Sequence, residues 1–216
     1  MKSPSSMIAL LSFAALFGFS AGRAGAAEGF VQISVGGAFT EDADFDVDGL
    51  GVITDVEFED SVSIDVGGGA WFSPTDFLDL GVQGGIGYFR PTVETISGFD
   101  DLEFHLVPFS VLGMARIPLF KSDRLPHGII QPYAGIGPTF LLSFLEIDEV
   151  GIDASAVGFD VGFDLRAGVN VNLTHLLGLF VEYKRTEVDA TLTDGSDDLD
   201  VDFATDHITA GLGFHF

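Results

Sequence analysis

Gly158-Phe159-Asp160-Val161-Gly162-Phe163-Asp164-Leu165-Arg166-Ala167-Gly168-Val169-Asn170-Val171-Asn172-Leu173 is the stretch on which the fold turns. Phe159, Val161, Phe163, Leu165, Val169 and Val171 share one parity. Asp160, Gly162, Asp164, Arg166, Gly168, Asn170 and Asn172 share the other. Successive side chains of a β-strand point to opposite faces, so a period of two assigns this run to a strand with one apolar and one small or charged face.

The same sorting recurs on both sides of it. Phe30 to Thr40 sets Val31, Ile33, Val35 and Phe39 against Gln32, Ser34, Gly36 and Thr40. Ser61 to Ser73 sets Val62, Ile64, Val66, Ala70 and Phe72 against Ser63, Asp65, Gly67, Gly69 and Trp71. Phe77 to Arg90 sets Leu78, Leu80, Val82, Ile86 and Tyr88 against Asp79, Gly81, Gln83, Gly85 and Gly87. Ile129 to Phe144, Leu177 to Glu187 and His207 to Phe216 alternate in the same way. The eighth run, Leu102 to Ile117, is less regular. Turning Val107, Phe109 and Val111 to the apolar face sends Ser110 and Arg116 to the other, together with Leu106, Leu112 and Met114. Pro108 lacks a ladder donor and predicts a bulge, and Pro132 and Pro138 raise the same question in the fifth run. No amphipathic helix is predicted after residue 26.

Connections alternate in kind. Ser73 to Asp76, Ile117 to Gly128 and Thr174-His175 are the shorter ones. Glu41 to Asp60, Pro91 to Asp101, Leu145 to Ser155 and Val188 to Asp206 are mostly longer and acidic. Lys121 and Arg124 fall in one of the shorter turns.

The N-terminus has Lys2, an apolar run from Met7 to Phe19, and Ala24-Gly25-Ala26. It reads as a Sec-type signal peptide, cleaved after Ala26 or Ala27 and leaving residues 27–216 as one domain. That run is too short to span a bilayer as a helix, which takes ~20 apolar residues. The chain has no cysteine, excluding disulfides, thiolate metal sites and a cysteine nucleophile. Removal of Lys2 and Arg23 with the leader takes the formal charge from −24 to −26. Such a chain lacks the cationic surface needed to displace phosphate counterions, so nucleic acid is excluded as a partner. Its mean hydropathy is nevertheless +0.39, so charge and apolar residues are segregated along it.

Alternation alone suits a soluble barrel or sandwich with the apolar face inward. Three features favour the inverse. The polar face gathers Gly with Asp65, Gln83, Asp160, Asp164, Arg166, Glu182 and Lys184, which suits a narrow lumen sealed by ion pairs better than a soluble core. Aromatics stand at the ends of the apolar face, Phe39, Tyr88, Phe140, Phe159 and Tyr183 towards one rim and Phe72, Phe214 and Phe216 towards the other, as interfacial girdles do. The last run is an apolar row, Ile208, Ala210, Leu212, Phe214 and Phe216, ending on the terminal Phe. The expected fold is all-β: a transmembrane up-and-down antiparallel barrel of eight strands. Short turns then face the periplasm and long loops the exterior. Closure is demanded because lipid offers strand edges no hydrogen bonds.

That terminal row resembles the outer-membrane sorting signal read by the assembly machinery. Gln131-Pro132-Tyr133-Ala134-Gly135-Ile136-Gly137 is similar to the PYxGxG strand of small OmpA/OmpX-type barrels, and Leu179 to Arg185 to their penultimate strand. The resemblance covers the whole of residues 27–216 and implies a barrel without OmpA's peptidoglycan-binding domain. It implies the outer membrane of a Gram-negative-type bacterium, a monomer, and partnership with outer-membrane lipids and lipopolysaccharide.

Three groups of residues could carry chemistry. Asp65, Arg116, Asp160, Asp164, Arg166, Glu182 and Lys184 form a candidate ion-pair network in the lumen, with Arg116 nearer the periplasm. The structural reading is a plug; the resemblance adds a gate, since alternative lumen salt bridges accompany narrow conductance in OmpA-type barrels. Asp44, Asp46 and Asp48, followed by Gly49, match the D-x-D-x-D-G opening of a calcium loop, with Asp55 at its twelfth position. Gly51 at the eighth position and the lack of flanking helices favour a solvated acidic loop instead, so no cofactor beyond this possible calcium is expected. Some eight-stranded barrels deacylate lipid A through a Ser/His/acid set. Here Glu103, His105 and Ser110 share a run but lack the His-x-Ser arrangement, and His127 and His175 sit in turns while His207 and His215 face the lumen. The expected function is a non-enzymatic outer-membrane barrel serving envelope integrity and surface interaction through acidic loops. A narrow channel for ions or small solutes is the alternative, and a lipid A-modifying enzyme a remote one.

Overall fold

The computed structural model describes residues 27–47, 51–93, 102–149, 152–194 and 197–216. Residues 1–26, read above as a signal peptide, and Asp48 lie outside them. Every regular element among the described residues is a strand: β1 (Glu28–Thr40), β2 (Ala43–Val47), β3 (Gly51–Val56), β4 (Phe58–Glu59), β5 (Ser61–Phe72) and β6 (Asp79–Tyr88) in the first half. The second half holds β7 (Thr92–Val93), β8 (Leu102–Arg116), β9 (Ile130–Glu149), β10 (Ile152–Asn172), β11 (Leu177–Asp194) and β12 (Asp197–His215).

Eight of these close on themselves in the order β1-β5-β6-β8-β9-β10-β11-β12, every pair antiparallel, and β12 returns to β1 with Ile33 opposite Leu212. Backbone bonds between Gly29 and Phe216, 2.8 and 2.9 Å, extend that seam to the last residue. The expected parity holds around the barrel: Val62, Val161 and Val181 are 64%, 61% and 57% exposed, while Ser63, Asp164 and Arg166 on the alternate positions are buried. So continuous an apolar exterior is far larger than the patches soluble proteins leave in water, and matches the lipid-facing band of a membrane barrel.

Pro108 does not produce the expected bulge. On one side Leu106 faces Ser143 and Ser110 faces Thr139 without a slip; on the other, Ile86 faces Phe109 and Phe89 faces Leu106 in one register. Phe89 and Leu106 exchange both backbone bonds, 3.1 and 3.0 Å. Two residues further on, Pro108 stands opposite Gly87 at the next position of that kind and has no N–H to give. The ladder loses a rung while no residue is inserted. Pro132 and Pro138 likewise leave the register of β9 with β10 unbroken.

The acidic connections are the larger correction. Leu145 to Ser155 and Val188 to Asp206, expected as loops, are mostly strand. They lengthen β9, β10, β11 and β12 to 20, 21, 18 and 19 residues, against 12 for β5 and 10 for β6. The β2–β3 hairpin, inside the Glu41 to Asp60 connection, adds to upper β12 through Phe45 and Val201, and β4 pairs with β7. Since a bilayer needs only ~9–11 tilted residues per strand, these long strands rise well beyond it.

At the other end the connections are tight. Thr174 caps the β10–β11 turn by accepting the backbone N–H of Leu177 at 3.0 Å. In the longer turn after β8, Gly128 takes φ +86°, where a Cβ would lie 2.6 Å from the Leu119 carbonyl, so glycine is required there.

Candidate functional site

Where an eight-stranded barrel could hold a channel or a ligand is its interior, and that interior is filled at three levels.

The outermost level is apolar. Phe89, Val93, Phe104, Leu106, Leu141, Val188 and Phe203 form one buried cluster with Ala38, Val56 and Ala190. Phe58 from β4 packs against Phe104 and Phe203, with ring centroids 6.1 and 5.9 Å apart, and Phe104 meets Phe203 edge-on at 5.7 Å. The irregular inward residues of β8 thus have a purpose. Phe104 and Leu106 belong to this plug, and Leu112 and Met114 to a second apolar cluster with Phe30 and Trp71 nearer the other end.

Between the two apolar clusters lies a polar belt. Lys184 Nζ donates to Asp65 Oδ1 at 2.6 Å, and Ser63 donates to Asp65 Oδ2 at 2.9 Å. Arg166 meets Asp164 through Nε at 3.2 Å and Nη2 at 2.9 Å, and reaches Glu182 through Nη1 at 3.5 Å. Ser110 donates to Asp164 at 2.6 Å and Tyr133 to Glu182 at 2.9 Å. The belt therefore sets three carboxylates against two cations, with three hydroxyls completing their hydrogen bonds, as buried charge requires. His207, opposite Lys184 across the β11–β12 ladder, is fully buried and packs edge-on against Phe89 at 4.8 Å.

The third level clasps the end that carries the short turns. Arg116 pairs with Glu28 and, through Nε, with Asp79 at 2.8 Å. Its guanidinium lies 4.6 Å over the Trp71 ring and also reaches Gln131 at 3.4 Å. His215 Nδ1 is 2.7 Å from Glu28 Oε1, and His127 Nδ1 3.3 Å from Glu28 Oε2. Asn170 donates to Gln131 at 3.0 Å and Asn172 to the Gly128 carbonyl at 2.9 Å, tying the clasp to the turn below. Between belt and clasp remains a cavity of about 30 Å³ lined by Gln32, Gln83, Met114, Tyr133, Asn170 and Phe180 among others. That is room for a water or two, at ~10–15 Å³ each.

Of the expected lumen residues, Asp65, Asp164, Arg166, Glu182 and Lys184 meet in the belt, Asp160 is half-buried higher on β10, and Arg116 belongs to the separate clasp. Glu28, Ser63, Asp79, Ser110, Tyr133 and His207 were not in the expected network, although His207 was expected to face the lumen and Ser63, Asp79 and Ser110 to share its parity. Asp79 and Ser110 had the right parity to be found. Glu28 lay beside the cleavage site, before the first recognised strand.

The calcium expectation meets a different backbone. Asp44 and Asp46 lie on β2 and Asp55 on β3, in a paired hairpin with Asp46 opposite Val52. β2 is extended there, which sets the Cα atoms of Asp44 and Asp46 ~7 Å apart, and its pairing with β3 is irregular between Ala43 and Phe45. His105 and Ser110, considered above for catalysis, have opposite parity. Ser110 is inside with Asp164, and His105 is outside with its Nδ1 2.8 Å from Tyr88 Oη. Ile208, Ala210, Leu212, Phe214 and Phe216 form one exposed row on the outer wall.

On that wall, near the outer rim, Arg185 is held by Glu41 at 2.8 Å, Glu187 at 2.7 Å and Asp206 at 3.4 Å, with Tyr183 donating to Asp206 at 2.7 Å. The opposite side, along β5, β6 and β8, carries a groove of about 600 Å³ on the lipid face.

The model of the family described as "Outer membrane protein beta-barrel domain" matches residues 11–216. Among solved structures, Neisserial surface protein A aligns with a TM-score of 0.54 at 16% identity, covering 87% of this chain and 97% of that one. The outer membrane protein OprG from Pseudomonas aeruginosa aligns with a TM-score of 0.55 at 16% identity, covering 89% and 98%. At such identities the likeness is one of fold. A search of curated proteins gave no match.

Proposed function

Because this chain belongs to the outer-membrane β-barrel domain family, we propose that it is a non-conducting, non-enzymatic wall element of the outer membrane, presenting acidic strands to the exterior. One observation supports this reading: among the described residues the interior is occupied at three successive levels, by an apolar plug, a paired polar belt and the Arg116 clasp. Ions crossing would have to part charges whose separation strands them in a low-dielectric interior, at several kcal/mol each. The role that remains is mechanical and interfacial: a rigid closed cylinder anchored in lipid, whose long strands carry carboxylates such as Asp189 into the exterior.

Biogenesis completes the proposal. Residues 1–26 are the Sec leader, lost on export. The outward row from Ile208 to Phe216 is the face offered to the assembly machinery, and the mature barrel is a monomer among lipids and lipopolysaccharide. Planar-bilayer recording of the refolded barrel tests the central point. Silence with folded protein is expected. Discrete steps in wild type that vanish when Arg166 or Lys184 is replaced would establish the narrow channel instead.

A further inference from the structure

We propose that the outward extensions of β9 to β12 are a salt-operated zipper. They stand fully paired where dissolved ions screen carboxylates that the register sets face to face, and they fray in dilute medium. The proposal rests on the strand ladders and is independent of whether the lumen conducts.

The observation is one of register, not of composition. Glu146 of β9 stands opposite Glu103 of β8, and Asp148 opposite Asp153 of β10. Asp189 of β11 stands opposite Asp202 of β12, and Asp200 of β12 opposite Asp46 of β2. Residues directly opposite in an antiparallel ladder share a face with Cβ atoms ~4.5–5.5 Å apart, and like charges placed so are destabilising. Lower in the β11–β12 ladder the facing charges are matched, Arg185 against Asp206 at 3.4 Å. Four residues further out, the same ladder sets Asp189 against Asp202.

The segments that hold these pairs supply no counter-charge: 41–59, 91–103, 145–157 and 188–203 contain no Lys, Arg or His. Arg185, the cation nearest Asp189 in the chain, already meets Glu41, Glu187 and Asp206. The outermost pairing is also thin. In the described ladders β9 beyond Glu146 pairs only with β10, and β10 before Val157 only with β9, so 147–149 and 152–154 form a two-stranded ribbon. Such a ribbon is marginally stable in water by itself. Where pairing is this marginal, a repulsion worth a few-fold in the opening equilibrium decides how often the backbone bonds are made.

Screening removes that repulsion without any ion being coordinated. The Debye length falls from ~30 Å at 0.01 M salt to ~3 Å at 1 M, which is shorter than the distance between facing carboxylates. The height of paired wall offered to the exterior therefore follows the ionic strength of the medium.

Backbone hydrogen–deuterium exchange of refolded residues 27–216 in zwitterionic detergent tests this, read by mass spectrometry and referred to the same peptides unfolded at each salt. Between ~0.01 and ~1 M sodium chloride, protection across 146–154 and 189–202 should rise about threefold, while that across 159–171 stays level. Asp148→Asn, Asp189→Asn and Asp200→Asn together take one charge from three of the pairs. That variant should reach the high-salt protection already at low salt. Asp123→Asn, in a turn at the other end, should behave as wild type. Heat-modifiable migration confirms that each barrel is folded, which separates loss of the zipper from loss of the fold. Calcium chloride at matched ionic strength should act as sodium chloride does. Protection that ignores salt overturns the proposal, as does a triple variant that keeps the wild-type salt response. Saturation by micromolar calcium alone overturns it too, by establishing a discrete cation site in place of screening.

Discussion

Lys184 and Asp65, 119 positions apart in the chain, meet at 2.6 Å across the lumen and join β11 to β5 through the middle of the barrel. Neither strand is hydrogen-bonded to the other, so this contact braces the cylinder where the ladders cannot. Replacing Lys184 with Met should cost ~3–5 kcal/mol, because it leaves Asp65 charged and buried. Adding Asp65→Leu should restore most of the loss. Urea titrations followed by band shift on unheated gels measure both, and a single variant as stable as wild type would remove the brace from the account.

Arg166 serves two carboxylates, Asp164 and Glu182, so Arg166→Gln should be at least as costly as the lysine change, several kcal/mol. A loss no larger than that of an exposed rim charge, ~0–1 kcal/mol, would mean that the residue does not face inward in the membrane.

For the outer plug, truncation of Phe104 to Ala should destabilise by ~3–5 kcal/mol through the cavity left among Phe58, Leu106 and Phe203. Conductance should stay absent, because the belt below is intact. Val62→Ala on the lipid face, where detergent or lipid simply closes in, is the comparison and should cost far less. Equal costs for the two would show that the cluster is not packed.

Assembly gives a test in cells. Phe216→Asp should lower outer-membrane insertion and leave periplasmic material, since it puts a charge on the lipid-facing row and beside the backbone seam to Gly29. Undiminished heat-modifiable protein in the membrane fraction would deprive the row of a sorting role.

Calcium uptake should be weak and salt-sensitive. Carboxylates on the extended β2 backbone attract cations as a diffuse field, screened within ~3 Å at 1 M salt. Calorimetry showing saturable binding that survives such salt and is lost in an Asp44/Asp46/Asp48→Asn variant would establish coordination after all.

The strand pattern was legible wherever one parity was purely apolar, as at Phe159 to Val171, because lipid on the outside imposes a harsher sorting than a soluble core. It was hidden where carboxylates alternate with apolar residues, as at Leu145-Glu146-Ile147-Asp148-Glu149 and Leu199-Asp200-Val201-Asp202-Phe203. There the acidity suggested loop, while the period of two still favoured strand. Pro108 misled in another way: a proline deletes a donor, but a bulge needs an extra residue, and the neighbouring strands supply none. The face of Asp65 and Lys184 could be read from alternation. Their pairing could not, because which residues meet across a lumen depends on the stagger of all eight strands. Glu28 is illegible for a simpler reason: it stands next to the expected cleavage point, before the alternation of β1 begins at Phe30.

Strand length around the rim is uneven. At ~3.3 Å per residue and a tilt of ~40°, the 21 residues of β10 rise ~50 Å, whereas β6 and β7, which run in one register against β8 from Asp79 to Val93, rise ~40 Å. Among the described residues the rim therefore stands higher over β9 to β12 than over β6 and β7. A molecule of this shape has a front and a back in the plane of the membrane. Anything large that approaches along the surface meets a taller strand wall on the β9–β12 side than on the β6–β7 side. Rotation about the membrane normal, which a round barrel would not register, decides what each neighbour encounters.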